Sequence, residues 1–246
     1  MRWRQATIWS TRRKAADLKI LGSQENNMAG NITIRAADHL YWLGRYLQRG
    51  ETMIAESLNA YDYVIDRNFA EGQELFAKLG LSFEYKNAKE FLHLATYGDH
   101  TSSISYNFEM ARENAIICRD LIDDRGFGFL NQIHNTLQAA KDKDISSYLL
   151  EDMLNDTQTT LGIFFSEIYR PEAYHFIKFG QYIERVDLMV RIFDSLEMIL
   201  LDIEKINMLG HKLSSDFKEV KLTFSDRDRV SILFNSLIKQ IIAYES

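Results

Sequence analysis

Apolar and small residues at positions 37, 41, 44, 47, 54, 55, 58 and 61 recur at helical spacing. They predict one long helix from Arg35 to about Asn68, capped by Asn31 or Thr33. Shorter helices follow at Glu71 to Leu79, closed by Gly80, and at Ala88 to Thr96, ending at Tyr97-Gly98. The polar cluster Asp99-His100-Thr101-Ser102-Ser103 is a start signal for a helix from Ile104 to Ile122. Gly126 and Gly128 read as a turn, Leu130 to Ala140 as a helix, and Lys141 to Asp144 as a solvated connector. Asp144 is then the cap of a helix carrying Leu149, Leu150, Met153, Leu154, Leu161, Phe164, Phe165 and Ile168. Pro171 suits the first position of a new helix, expected to reach about Ile206, with Gly210-His211 ending that region. Asp216 to Tyr244 is amphipathic and predicts one short and one long helix.

One stretch of this pattern returns. His39-Leu-Tyr-Trp-Leu-Gly-Arg-Tyr-Leu-Gln-Arg-Gly-Glu51 is matched by His175-Phe-Ile-Lys-Phe-Gly-Gln-Tyr-Ile-Glu-Arg-Val-Asp187 at a constant offset of 136 positions. His, Gly, Tyr and Arg are identical at matched places. An internal repeat of one long helical segment speaks to architecture. The expectation is an all-α multi-helix bundle with two related halves built around the repeated helix. Gly44, inside a helix, costs about 1 kcal/mol relative to Ala, and a close helix–helix approach is the usual compensation.

Composition supports long helices with short connections. Pro occurs once and Gly twelve times, whereas loop-rich and all-β chains need more of both. Residues 1–27 carry a net +4 and the remainder a net −10, for −6 overall. The leader 1–27 lacks an apolar signal core and reads as a disordered tail or as sequence ahead of a start at Met28, with a targeting presequence as the alternative. Residues 28–246 are expected to form a single helical domain. The acidic balance argues against a nucleic-acid surface. One Cys, Cys118, excludes a disulfide framework and a Cys-based metal site within the chain. No apolar run reaches membrane-span length, so a soluble chain of the reducing cytoplasm is expected.

The candidate chemistry lies on the repeat. Gly44, Gln48 and Glu51 share one helix face, and Gly180, Glu184 and Asp187 share the matching face. If the copies pack about a pseudo-twofold, Arg49 and Arg185 can each reach the other helix's carboxylate, as a directional Arg–carboxylate pair. Three readings follow: an ion-pair network that fixes helix register, a polar pocket for an anionic or carboxylate-bearing ligand, or a carboxylate-bridged metal site. The last needs Glu-x-x-His on facing helices, and here Glu51 or Asp187 stands where the His belongs. The matched His39 and His175 read as hydrogen-bonded core residues. Ser102, Ser103, Arg112 and Arg119 form a second candidate, an anion-binding groove at a helix start, against plain capping and surface charge. No G-x-S-x-G, P-loop, G-x-G-x-x-G or H-E-x-x-H pattern is present.

The run Ala37 to Glu51 resembles the opening of the alpha-E family, a bacterial all-helical domain named for a repeated Glu-Arg motif. Ser102-Ser103-Ile104, Ala111-Arg112-Glu113-Asn114-Ala115 and Gly180 to Asp187 resemble its later motifs in the same order, over residues 32 to 200. The Glu-Arg of the first copy is Gln48-Arg49 here, while Glu184-Arg185 keeps the pattern. Members of that family are typically encoded beside, or fused to, a circularly permuted ATP-grasp protein and often a transglutaminase-like protease. The resemblance therefore implies an accessory or substrate-handling subunit of an ATP-grasp peptide-ligase or amidoligase system, with no cofactor and no catalysis of its own. Arg45, Arg49, Glu51, Glu184, Arg185 and Asp187 are the expected central polar cluster, and Ser103, Arg112 and Asn114 a flanking one. The alternatives are an enzyme using the carboxylate–Arg cluster for acid–base chemistry and a purely structural scaffold.

Overall fold

The structure, a computed structural model, describes residues 32–66, 68–165, 171–193 and 196–221 and residue 237. The leader and most of the amphipathic C-terminal stretch lie outside the described residues. The described residues from Thr33 onward form one compact unit. All regular structure among the described residues is helical.

Helix α1 (Ile34–Ile65) is 32 residues long, about 48 Å at the α-helical rise. Thr33 caps it, its Oγ1 accepting from the Ala36 N–H at 3.2 Å. Helices α2 (Phe69–Lys78) and α3 (Ala88–Tyr97) follow. Gly80 closes α2 in the left-handed region at φ +76°, which only glycine enters without strain. Next come α4 (Ile104–Ile117), α5 (Asp124–Ala140), α6 (Ser147–Phe164) and α7 (Pro171–Leu188). A π-helical turn (Met189–Phe193) and α8 (Leu196–Leu213) complete the order.

Four expectations are corrected. Helix α4 stops at Ile117 rather than Ile122, because the Leu121 N–H turns back to the Cys118 carbonyl at 2.9 Å. Gly126 and Gly128 lie inside α5, whose cap is Asp123, accepting from the Arg125 N–H at 2.8 Å. Gly126 is there for packing, since a Cβ would strike the Phe164 ring. The cap of α6 is Ser146, accepting from the Leu149 N–H at 3.2 Å, while Asp144 pairs with Lys89 at 2.5 Å. The helix opened by Pro171 does not run through to Ile206. It is interrupted by the π-helical turn, and α8 packs beside α7 instead of extending it.

Helix α1 is the spine. Helices α7, α4, α6, α2 and α3 pack on it, α5 packs on α4 and α6, and α8 packs on α7. Leu40, Tyr41, Leu43, Leu47, Met53 and Ile54 of α1 are fully buried, as are Phe108 of α4 and Phe179 and Ile183 of α7, with the Tyr41 and Phe179 rings 6.2 Å apart. The α1–α7 contact is backbone on backbone. A Cβ at Gly44 would collide with the Ile177 carbonyl oxygen, and a Cβ at Gly180 with the Tyr41 carbonyl oxygen. These two contacts exchange under the 136-position offset, so the paired copies cross about a local twofold. Close approach is the compensation for two glycines in helix interiors.

Candidate functional site

The crossing brings the repeat's polar residues together, asymmetrically. On one side Glu184, fully buried, accepts from Arg45 Nε at 2.7 Å and from Arg49 Nε at 2.5 Å. Arg45 is also buried, with its guanidinium 5.0 Å from the Trp42 ring and 5.8 Å from the Tyr41 ring. Burial works to raise the Glu184 pKa, but the charges and hydrogen bonds of Arg45 and Arg49 outweigh it and hold it below the usual carboxylate value. A carboxylate so enclosed and ionised neither gives nor takes a proton near neutrality. Its chemistry is to lock α7 onto α1.

On the other side the matched residues are uncharged. Gln181 stands where the first copy has Arg45, and Gln48 where the second has Glu184. Gln181 Nε2 donates to Gln48 Oε1 at 2.8 Å. Gln48 Nε2 donates in turn to Glu51 Oε2 at 3.0 Å and to Thr52 Oγ1 at 3.2 Å. Lys178 Nζ donates to Gln181 Oε1 at 3.0 Å and lies 3.5 Å from the centre of the Phe165 ring. A hydrogen-bonded string thus runs from an ammonium on α7, through two amides, to a carboxylate on α1.

This string lines a cavity of about 450 Å³ that also takes in Gln158 and Arg185. Leu161 and Phe165 of α6 and the C-terminal end of that helix supply its apolar wall. A second space of about 210 Å³ shares Gln48, Glu51, Gln158 and Arg185, and is walled by Ala55, Leu154, Leu188, Met189 and Phe193. Burial pushes the Glu51 carboxyl above its usual value. Burial, helped by the charges of Arg185 and Lys205, brings Lys178 down to about 8.

Arg45, Arg49 and Glu184 form the closed ion pair, and Glu51 and Arg185 face the cavity. Arg49 reaches the other helix's carboxylate, but Arg185 does not reciprocate. It turns to Asp202 of α8, with Nε 3.0 Å from Oδ2 at an angle that makes the contact coulombic rather than a hydrogen bond. The reason is that Gln48 offers it no charge and the chain after α7 folds back to bring Asp202, almost fully buried, alongside. Asp187 pairs with Arg191 one turn on, at 3.1 Å.

Ser103, Arg112 and Asn114 do not gather. Ser103 is the buried residue at the start of α4 and makes no side-chain cap bond. Arg112, about 13 Å further along the helix at its rise per residue, donates to Asn131 Oδ1 at 2.7 Å. Asn114 meets His39 Nδ1 at 2.8 Å and donates to the Met110 carbonyl at 2.7 Å. Arg119 sits past the far end of α4, paired with Asp124 and stacked 4.4 Å from the Phe127 ring. The anion groove expected from Ser102, Ser103, Arg112 and Arg119 is therefore not assembled. His175 Nδ1 faces the Pro171 carbonyl at 2.5 Å, so the two matched histidines take different partners.

Lys178, Gln181, Gln158 and Asp202 were not singled out by sequence. The available signal was the mismatch of Lys178 with Trp42 and of Gln181 with Arg45 inside an otherwise close repeat. Among the described residues no three His, Cys, Asp or Glu side chains gather to hold a metal ion. No helix among them is long and apolar enough to cross a membrane. Cys118 is buried, and that burial pushes its thiol up to about 12.

No curated protein and no solved structure matches the chain. Residues 33–219 match the family model Alpha-E, described as a predicted alpha-helical domain with a conserved ER motif. In this chain Glu184-Arg185 is the Glu-Arg pair, its Glu the shared acceptor at the helix crossing and its Arg on the cavity. The match takes in every helix from α1 to α8, and the chain belongs to the Alpha-E family.

Proposed function

We propose that this chain is a substrate-handling, non-catalytic subunit of an ATP-grasp peptide-ligase or amidoligase system. The family resemblance supplies the partner, a circularly permuted ATP-grasp protein, with a transglutaminase-like protein as a further member. One observation carries the non-catalytic half: the carboxylate at the centre of the Glu-Arg cluster is closed and paired, with side-chain exposures of 7% for Arg45 and 0% for Glu184. An acid–base enzyme at that closed pair needs a solvent-reachable carboxylate with a raised pKa, and Glu184 is opposite on both counts, which leaves the acid–base alternative to Glu51, on the cavity with a raised pKa and bonded to Gln48. The open polar surface lies beside it, at Arg185, 31% exposed, and Lys178. A chain with a locked crossing and open polar space on both sides of it suits holding a substrate for another protein's chemistry.

The test is capture of the tagged chain from its native host, with mass spectrometry of what accompanies it. The expected result is an ATP-grasp protein in stoichiometric amount. Recovery of the chain alone would remove the subunit reading.

A further inference from the structure

The cavity between α1, α6 and α7 is electrically incomplete in a specific way. Lys178 lines it with an amide and the rings of Phe165 and Tyr182 as its contacts, and no carboxylate among the described residues lies within ion-pair distance. The charges around it come from α7, α8 and α1. Arg185 stands on its own helix, Lys205 and Asp202 on α8, and Glu51 on α1. Asp202 is already engaged by Arg185 at 3.0 Å and by Lys205 at 3.2 Å. Glu51, at the far end of the hydrogen-bonded string, accepts from Gln48.

The remaining polar lining is amide, from Gln48, Gln158 and Gln181, each able to donate and accept. At about 450 Å³ the space falls in the range of small-molecule sites. The adjoining space of about 210 Å³ shares four of its residues, adds Thr52 and Glu56 from α1, and has an apolar wall of Ala55, Leu154, Leu188, Met189 and Phe193. The arrangement is cation, amides, anion, then a side chamber with one apolar wall.

We propose that this cavity binds a carboxylate that stands beside an ammonium or amide N–H, as in an amino acid or the C-terminal end of a short peptide. The carboxylate lies against Lys178 and Arg185, the N–H side faces Glu51, and an apolar side chain enters the chamber walled by Leu188 and Met189. This rests on the substrate-handling half of the reading above and names what is handled. A ligand carboxylate supplies the counter-charge that Lys178 lacks. It raises the Lys178 pKa from about 8, so binding takes up a proton and weakens as pH rises past that value.

The experiment is calorimetric titration of the isolated chain with leucine, glycyl-leucine and glycyl-leucinamide. Glycyl-leucine or leucine should bind, and glycyl-leucinamide at least about tenfold more weakly, the size of a lost charge-assisted hydrogen bond. The relative affinity of leucine and glycyl-leucine tells a free amino acid from a peptide end. Lys178→Met should weaken the acids by about tenfold or more, leave the amide unchanged and abolish proton uptake near pH 8, in a variant that melts cooperatively. Equal binding of acid and amide, no binding of either acid, or unaltered binding by Lys178→Met would overturn the proposal. So would displacement of glycyl-leucine by equimolar inorganic phosphate, which would make this a general anion site. Partner capture without ligand binding removes only this inference, and ligand binding without a partner removes only the subunit reading.

Discussion

Gln181 donates to Gln48 at 2.8 Å across the same helix crossing at which, at the positions matched by the repeat, Arg45 donates to Glu184 at 2.7 Å. One polar contact has been kept twice in geometry and only once in charge. In the charged version Glu184 is fully buried with Trp42 over the Arg45 guanidinium, and a space of about 280 Å³ lined by Trp42, Arg45, Tyr46 and Arg49 borders it. In the uncharged version Lys178 stands at the position of Trp42, and the space beside it is open. The divergence of the copies, more than their likeness, makes the cavity.

Restoring charge to the second contact tests this relationship. Gln48→Glu places a carboxylate beside Glu51 and removes the amide that donates to it, which should cost about 1–3 kcal/mol. Adding Gln181→Arg rebuilds the Arg–carboxylate pair in the local geometry. The double variant should recover part of that loss, with a favourable coupling of about 0.5–3 kcal/mol in a double-mutant cycle. Additive losses in urea unfolding would show that the two contacts are not geometric equivalents.

The backbone contact is tested at the glycines. Gly44→Ala and Gly180→Ala each drive a methyl group into a carbonyl oxygen of the opposing helix, and backbone yields less readily than side chain. Each should destabilise by about 1–3 kcal/mol. Gly128→Ala is the control, because nothing lies within 4 Å of its Cβ position inside α5. That substitution should gain about 0.5–1 kcal/mol. Thermal melts of the three variants separate a close crossing from a general intolerance of helix glycine replacement.

Lys178 carries a pH signature of its own. Its folded value of about 8 lies below the ordinary 10.5, so the unfolded chain holds more protons between those two values. Wild-type stability should therefore gain from this group as pH rises through about 8 to 10.5. Lys178→Met lacks that gain. The stability of the wild type minus that of the variant should increase across this window, measured by urea unfolding at a series of pH values. A difference that stays flat, or falls, would show that Lys178 is not held in a cation-disfavouring cavity.

Much of the fold was legible in sequence for local reasons. Thr33 and Gly80 act through their own backbone geometry, and both sit where the pattern placed them. The repeat pointed to a glycine-mediated crossing, because a helix-interior glycine needs a reason. What was hidden depended on tertiary neighbours. The π-helical turn at Met189–Phe193 leaves the apolar spacing intelligible as one helix, so Pro171 to Ile206 read as continuous. Asp202 carried no signal in the sequence, and only the return of α8 onto α7 makes it the partner of Arg185. Lys178 was passed over because matched residues drew the argument, whereas the cavity is built from mismatched ones. Ser103, Arg112 and Asn114 were grouped through the motifs of the family resemblance, but eight helical residues stand between Ser103 and Arg112.

The central claim is that Glu184 is the structural lock of the α1–α7 crossing, and urea unfolding of Glu184→Gln measures it most directly. At neutral pH the substitution leaves Arg45 and Arg49 without their buried carboxylate and should cost about 3–5 kcal/mol. The folded Glu184 value lies below the ordinary 4.5, so its contribution is complete above 4.5 and is lost as pH falls through the lower folded value. The gap between wild type and variant should accordingly close in acid. An unchanged unfolding midpoint at neutral pH, or a gap that does not narrow on acidification, would contradict the account.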